Sequence, residues 1–523
     1  MNAQLASRLA RLAWLVCLPG VLGGQTPVPP ARAVTTITAD DIRHRISVLA
    51  DDSMRGRDTP SPQLDQVANW IASEFRRFGL EPGAGDGNYL QHYEIVRSEV
   101  DTARTSLTVA RGGGPPVVLR AAREMDVLPF GPPPLHDVTG PVVLLSGRGN
   151  SSADPLAGAD VRGAWLALLA TSAPSGMISL DVGTAQAALA AGAVGLLVVS
   201  DRSDEQWRAR TSGGRPIQSV GDGESSPGSA DPALVEIRDG SAARALGLDV
   251  AALRAEQVRR ARPLRGVTLT FHAERRVISA GRAPNVIGVV EGSDPTLKHE
   301  YVFVTAHMDH IGVASPLNPA CRARGGDSIC NGADDDASGT AAVMANAQAF
   351  ARLVPHAKRS VVFMTVSGEE KGLWGSEYFT THATVPLSGV VADLNIDMVG
   401  RNWKDTIAVI GREQSDLGST LDRVAAAHPE LDIKPIGDIW PSENFYSRSD
   451  HFNFARRGVP ILFFFNGTHS DYHQVTDEVA KIDAEKEARI AQLIFYLGVE
   501  IANAAARPRW DPAAYKRVVD GAN

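Results

Sequence analysis

A mixed, mostly parallel α/β sheet flanked by helices, with a smaller α+β or β-rich unit inserted into it, is the fold class this sequence predicts. Two observations carry that prediction. From Val267 onward, near-continuous apolar runs alternate with stretches of helical spacing, the pattern of strands buried on both faces. Between about Leu135 and Pro263 the texture changes to short apolar runs separated by Gly- and Ser-rich passages, as an independent inserted unit would read. At 523 residues the chain is long enough for two such units.

The elements follow in order. Arg8 and Arg11 precede an apolar stretch, Leu12 to Leu22, that is short for a bilayer span and is followed by Gly23 and Gly24. Residues 1–25 are therefore expected to be an export signal and 26–37 a Pro-rich linker, with a retained anchor as the rival reading. Leu15-Val16 before Cys17 does not suit a lipoprotein site. No later segment is apolar enough to cross a membrane, so the mature protein is expected to be exported, periplasmic or extracellular, and soluble. Asp40 to Leu80 reads as helical, with Ile42, Ile46, Leu49, Val67, Trp70, Ile71 and Phe75 recurring at helical spacing. Strands are expected near Tyr93 to Val100 and Thr105 to Val109, closing a first part of the main unit at 38–134.

The insert, 135–265, offers buried strands at Val138 to Leu145, Ala164 to Leu169 and Gly195 to Ser200, a helix at Thr184 to Ala191 and an exposed loop at Thr211 to Ala230. The main unit resumes over 266–506. Its strands are expected at 267–274, 285–291, 301–306, 360–366, 390–396, 406–410 and 460–465. Its helices are expected at 338–353, 373–382, 415–427, 450–456 and 484–504, leaving 507–523 as a peripheral tail.

A formal charge of -8 and a pI near 5.9 exclude the basic face that a nucleic-acid partner would require. Past the signal only Cys321 and Cys330 remain, most simply a disulfide in an oxidising compartment. A pair of thiolate metal ligands is the sharper alternative, but the spacing does not suit a zinc knuckle.

Five acidic or histidine-bearing segments lie in the second half: T-A-H-M-D-H (305–310), N-G-A-D-D-D-A-S-G (331–339), S-G-E-E-K-G (367–372), N-I-D-M-V-G (395–400) and S-D-Y-H-Q (470–474). Three of them put His307, Glu369/Glu370 and Asp397 at the carboxyl end of an expected strand, the edge where ligands of open α/β sheets gather. His307 and His473 offer imidazole, while Asp335, Glu370 and Asp397 offer carboxylate. This nitrogen and oxygen set suits catalytic zinc, and five ligands fit two ions that share a carboxylate. Asp309 is spaced to orient the His307 ring, and Glu369, turned away from Glu370 on an extended backbone, suits a general base for the attacking water. Asp334 to Asp336 read equally as a helix N-cap, and Glu369-Glu370 as a first-turn acidic pair. His310 completes an H-x-x-H pattern, yet on a loop that spacing does not aim both rings at one ion.

In this order the motifs resemble the M28 family of co-catalytic zinc peptidases, over roughly Thr38 to Phe130 and Val267 to Ala504. The resemblance implies a zinc exopeptidase fold and two Zn2+ per chain. One zinc would be held by His307 and Asp397, the other by Glu370 and His473, with Asp335 bridging them through a residue joined by a cis peptide to Asp336. Glu369 would be the base and Asp309 the orienting group. Gln474-Val475 after His473 departs from the usual Thr-Pro or Ser-Pro. The insert is similar to a protease-associated domain, most suggestively at Ala191 to Gly195.

The implied substrates are peptides or small proteins, and the resemblance favours an aminopeptidase over an M28-type carboxypeptidase or a glutaminyl cyclase. A binding or scaffold protein with a degenerate site is the reading from another class. Arg401 is a candidate receptor for a terminal carboxylate, and Tyr446, Ser449, Asp450 and Phe452 are candidates for the walls of the specificity pocket.

Overall fold

The computed structural model describes residues 26–522, apart from 129–133, 135, 148–154, 175–176, 213–216, 221–231, 316–317 and 319. The predicted export signal, residues 1–25, lies outside the described residues, as does most of the expected 211–230 loop.

Among the described residues, ten strands form a mixed sheet. Its centre is four parallel strands in the order Ser360–Val366, Tyr301–His307, Val390–Ile396 and Ile461–Phe464. Antiparallel neighbours flank them: Arg275–Val290 and then Leu90–Val100 on one side, Thr406–Ile410 on the other. Each central strand is apolar on both faces because helices cover both. Val302, Val304, Val361 and Phe363 pack beneath helices Ala39–Leu49, Pro62–Phe78, Gly339–Ala351 and Ala484–Asn503. Phe303, Val362, Met364 and Val366 pack on the other face with Phe379 and Phe454.

Local signals agree with these helices. Thr38 and Ser61 cap the first two by accepting from the amides of Asp41 and Leu64, and Gly79 closes the second in the left-handed region.

A second sheet of nine described strands forms the insert. It begins earlier than the expected boundary at 135, because Ser106–Arg111 pairs antiparallel with Arg260–His272. Leu107 and Val109 join Leu269, Phe271 and Trp165 in this sheet's own core. Strands Val117–Arg120 and Met125–Val127 belong to it as well, so the unit runs from about 106 to 272 rather than 135 to 265. The two crossings between the sheets lie side by side, tied by Asp101 N to Glu274 O at 2.8 Å. One piece of the insert, Ile217–Val220, returns to pair with Leu90–Val100 at the edge of the main sheet.

The tail is not peripheral. Val518 and Val519 are buried with Phe454 and Ile461, and the Trp510 indole donates to Gly458 O at 2.9 Å.

Phe303 is fully buried, with the rings of Phe379 and Phe454 both 5.4 Å from it. Phe303→Ala is expected to lower stability by about 3–5 kcal/mol. Denaturant unfolding measures this, and a loss below about 1 kcal/mol would mean that this face of the sheet is not closely packed.

Candidate active site

Four loops leave the carboxyl ends of the parallel strands on one edge of the sheet. His307 ends its own strand, Asp397 directly follows Ile396, and Glu369 and Glu370 follow Val366 by a short turn. His473 lies on the loop beyond Phe464, at a left-handed φ of 57°. Glu369 and Glu370 do not sit on the extended backbone expected for them. They open a 3-10 turn, Glu369–Lys371, entered through Gly368 at φ 73°. A side chain at Gly368 would meet the Tyr93 hydroxyl at 2.7 Å and Trp374 Cβ at 2.9 Å.

At the centre stands Asp335. Its Oδ1 is 3.3 Å from His307 Nε2 and its Oδ2 is 3.2 Å from His473 Nε2, so one carboxylate faces two imidazoles in opposite directions. Asp397 Oδ1 lies 3.7 Å from His307 Nε2, and Glu370 Oε2 lies 3.1 Å from His473 Nε2. Two groups of potential metal ligands result, each with its atoms within 4.8 Å of one another: His307, Asp335 and Asp397, and His310, Asp335 and Glu370.

His310, set aside on its loop spacing, is fully buried, with Nδ1 2.8 Å from Glu370 Oε1. No sequence spacing would have found it, because the loop and not a helix aims the ring. Glu369 Oε2 is 4.0 Å from His307 Nε2.

The donor set fits metal cations. Asp335 Oδ2, Glu370 Oε1, His473 Nε2 and both ring nitrogens of His310 are buried without a directed hydrogen bond. Such atoms are costly to bury unless something charged satisfies them. Protons fill that need in part. Burial disfavours a charged His473, but Asp335 and Glu370 outweigh it and push the imidazole up to about 10. Burial and Asp335 act to raise Glu370, and His310 and His473 outweigh them, leaving it at about 2. A divalent cation between these groups would replace the protons and pair with the same carboxylates.

The other two members of the Asp triplet serve the backbone. Asp336 Oδ1 accepts from the amides of Gly339 (2.8 Å) and Met398 (3.1 Å), and Oδ2 accepts from that of His307 (3.2 Å). Asp334 Oδ1 accepts from Gly400 N at 2.7 Å, while Oδ2 lies 3.1 Å from His469 Nε2. The outer residues thus knit the ligand loops, and the middle one is left to face the histidines across the Asp335–Asp336 cis peptide. Asp477 joins this network by accepting from the amides of Asp334 and Asp335. It lies just beyond the last motif, which gave no hint of that.

Asp309 orients His307 differently from expectation. The nearest acceptor for His307 Nδ1 is the Asp309 carbonyl at 3.1 Å, with its carboxylate at 3.7 Å. The carboxylate accepts instead from Thr59 Oγ1 (2.8 Å) and Glu369 N (3.3 Å), linking the ligand strand to the Glu369 turn.

Arg57 was not singled out in the sequence and is fully buried beneath the site. Its guanidinium donates to the carbonyls of Met308 (2.8 Å), Leu49 (3.2 Å), Asn331, Gly332 (2.7 Å) and Asp335 (3.4 Å). One side chain therefore spans both the His307 and the Asp335 loops. It arrives on three successive left-handed residues, Arg55, Gly56 and Arg57. A Cβ on Gly56 would stand 2.4 Å from Cys330 O and 2.6 Å from Gly312 O, so only glycine allows that close approach. Cys321 and Cys330 form the expected disulfide and pack with Ile311 and Val475. Val475, which departs from the family pattern, thus fills an apolar niche beside the His473 loop.

A narrow cleft opens beside the carboxylates, lined by Met398, Phe445, Phe463, Phe465, Thr468, Tyr472 and Arg448. The expected pocket residues are not its walls. Ser449 is buried and donates to Asp397 Oδ2 at 2.9 Å. Asp450 is buried and accepts from Ser376 Oγ at 2.5 Å. Tyr446 and Phe452 pack against one another away from the cleft, ring centroids 6.4 Å apart. Arg401 pairs with Asp471 at 3.0 Å and braces the His473 loop. The polar cluster was legible, but the turn through 445–447 rotates Phe445 and Arg448, not their neighbours, toward the cleft.

A mixed sheet thus gathers two groups of potential metal ligands at its parallel edge. Residues 285–498, which hold these ligand loops, match the sequence model of peptidase family M28. It is 28% identical over 268 residues to a "probable zinc metalloprotease" of Pyrenophora tritici-repentis, covering 43% of this chain and 53% of that protein. It is 28% identical over 230 residues to a "probable leucine aminopeptidase" of Trichophyton verrucosum, covering 42% and 58%. The match therefore spans little more than half the length of these relatives. Among solved structures, an aminopeptidase from Aneurinibacillus sp. strain AM-1 aligns over 92% of this chain and 98% of that one, at 18% identity and a TM-score of 0.49.

Removing the Arg57 charge would strand four loop carbonyls and leave Asp335, Asp309 and Asp336 without their buried cation. Arg57→Met is expected to destabilise the protein by about 3–5 kcal/mol and to weaken zinc retention with it. Thermal unfolding with and without added zinc measures both. An unchanged midpoint in both conditions would remove Arg57 from this role.

Proposed function

We propose that the chain is an exported, zinc-dependent aminopeptidase that holds two zinc ions on one edge of its main sheet. The observation that carries this reading is Asp335, whose oxygens address His307 and His473 on opposite sides at 3.3 and 3.2 Å. His307 and Asp397 would hold one ion and His473 and Glu370 the other, with Asp335 shared between them. His310, against Glu370, either supports that second group or joins it. Two zinc ions bound there would supply Lewis acidity, acidifying a water and polarising the scissile carbonyl.

The chain's own residues do the rest. Glu369 takes the proton of the attacking water on its carboxylate and passes it to the leaving amine. Burial raises its affinity for a proton, as a group that must first accept one and then deliver it requires. Asp309 fixes the turn that carries Glu369, through the Glu369 amide, and Ser449 holds Asp397. The surplus of carboxylate around the cleft suits a substrate ammonium group, which supports N-terminal over C-terminal cleavage. The Trichophyton relative, a "probable leucine aminopeptidase", supports the same choice.

Export is supported by the Cys321–Cys330 disulfide, and among the described residues no helix is long and apolar enough to cross a membrane. We read the inserted unit as a module of the protease-associated type that carries none of this chemistry.

Glu369→Gln is expected to lower kcat at least about a hundredfold while both zinc ions stay bound, since the change removes the base and no ligand. Near wild-type turnover in that variant would refute the assignment. Asp335→Asn is expected to reduce zinc content to less than one ion per chain by elemental analysis. Retention of two would mean that the carboxylate is not shared. A panel of free, N-blocked and C-blocked peptides, with and without a chelator, tests the class of reaction. Free N-termini should be required, and the chelator should abolish turnover. Pyroglutamate release or cleavage of N-blocked peptides would replace the aminopeptidase reading.

A further inference from the structure

The cleft beside the carboxylates has an apolar floor and one cation. Met398, Phe445, Phe463, Phe465 and Tyr472 supply the floor, with Phe463 and Phe465 stacked at 5.2 Å and Phe445 at 4.8 Å from Phe465. Among the described residues lining it, Arg448 is the only guanidinium or ammonium, in a site otherwise crowded with acid.

Arg448 is not consumed by the fold. Among the described residues its one ion-pair neighbour is Glu443 at 3.9 Å, beyond hydrogen-bond reach, and the two side chains are 44% and 57% exposed. Its guanidinium lies over the Phe445 ring, 4.7 Å from the centroid, which fixes its position without satisfying its donors. Arg401, the other candidate, is held by Asp471 and so is already paired.

We propose that Arg448 is a substrate carboxylate receptor, and that the preferred substrates carry a carboxylate within about one residue of the scissile bond. The inference rests on the peptidase reading above and deepens it. A flat guanidinium offers two parallel N–H donors to a carboxylate, and an aromatic floor suits the methylenes that precede it. Two sources share this chemistry: an acidic side chain on the residue whose carbonyl is attacked, and the terminal carboxylate of a dipeptide. Both place an anion opposite the pole occupied by the substrate ammonium.

The zinc-loaded full chain and its Arg448→Met and Arg448→Lys variants, on matched peptides, test the proposal. Glu-Ala-Ala against Gln-Ala-Ala isolates the side chain, and Leu-Gly against Leu-Gly-amide isolates the terminus. In one of these pairs the wild type should prefer the carboxylate about tenfold in kcat/KM, the size of a half-exposed bidentate pair. Arg448→Met should erase that preference and leave the uncharged partner within about twofold, while Arg448→Lys should keep part of it. Equal loss on charged and uncharged peptides would overturn the proposal and make Arg448 a general support of the acidic site. No preference in the wild type for either carboxylate would overturn it as well.

Calorimetry separates this from failure of the peptidase reading. L-glutamate, L-glutamine and Leu-Gly are titrated into zinc-loaded Glu369→Gln protein with and without Arg448→Met. Binding of L-glutamate or Leu-Gly that depends on Arg448, together with a wild type that hydrolyses no peptide of the panel, would keep the receptor and discard the enzyme. Arg448-independent binding of every probe would discard the receptor alone.

Discussion

One buried carboxylate facing two imidazoles sets the terms for everything around it. Asp335 addresses His307 and His473 from opposite oxygens, and this works only if the carboxylate is isolated from water and held square between two loops. Burying it beside Glu370, Asp397 and Glu369 gathers like charges that would repel strongly in a medium of low dielectric. The compensation comes from several directions. Histidines that hold protons, a guanidinium beneath, and backbone amides aimed at the neighbouring carboxylates each carry part of it. Metal cations would complete that compensation here, where several buried donor atoms are left without directed partners.

The knitting of loops follows from the same constraint. Asp334, Asp336 and Asp477 accept from the amides of Gly400, Met398, His307 and Asp334, so the loops leaving three strands are fastened to one another and not only to the sheet. A carboxylate bonded to backbone amides has little freedom to swing toward a cation. That division explains a triplet of identical residues with different duties. Arg57 does from below what these carboxylates do from the side, using a strained left-handed turn whose glycine permits contact with the Cys330 and Gly312 carbonyls.

The parts of this arrangement that were legible in the sequence are those that strand order dictates. His307, Glu369, Glu370 and Asp397 stand where apolar runs end, and parallel strands bring such ends to one edge whatever the sequence separation. Arg57 was invisible because it lies 251 residues from Met308, whose carbonyl it binds, in a short basic turn that reads as surface. His310 was left out because its loop spacing does not aim it at the same ion as His307, and spacing could not show that the loop turns it to Glu370 instead. The start of the insert was misplaced because Ser106–Arg111 alternates like any half-buried strand. Only its partner, Arg260–His272, reveals which sheet it belongs to.

The specificity cleft marks where local reading stops. Tyr446, Ser449, Asp450 and Phe452 were expected to line a pocket, and within that segment the turn decides which side chains face the cleft and which face the core. Ser449 and Asp450 turn inward, where the one fixes Asp397 and the other meets Ser376, and the alternation exposes Arg448 beside Phe445. The polar residues of the segment therefore hold the ligand loops, while the cation lines the cleft. An acidic ligand edge and a guanidinium across an aromatic floor form a dipole, and on the proposal above a small zwitterion or an N-terminal acidic residue would satisfy both ends of it.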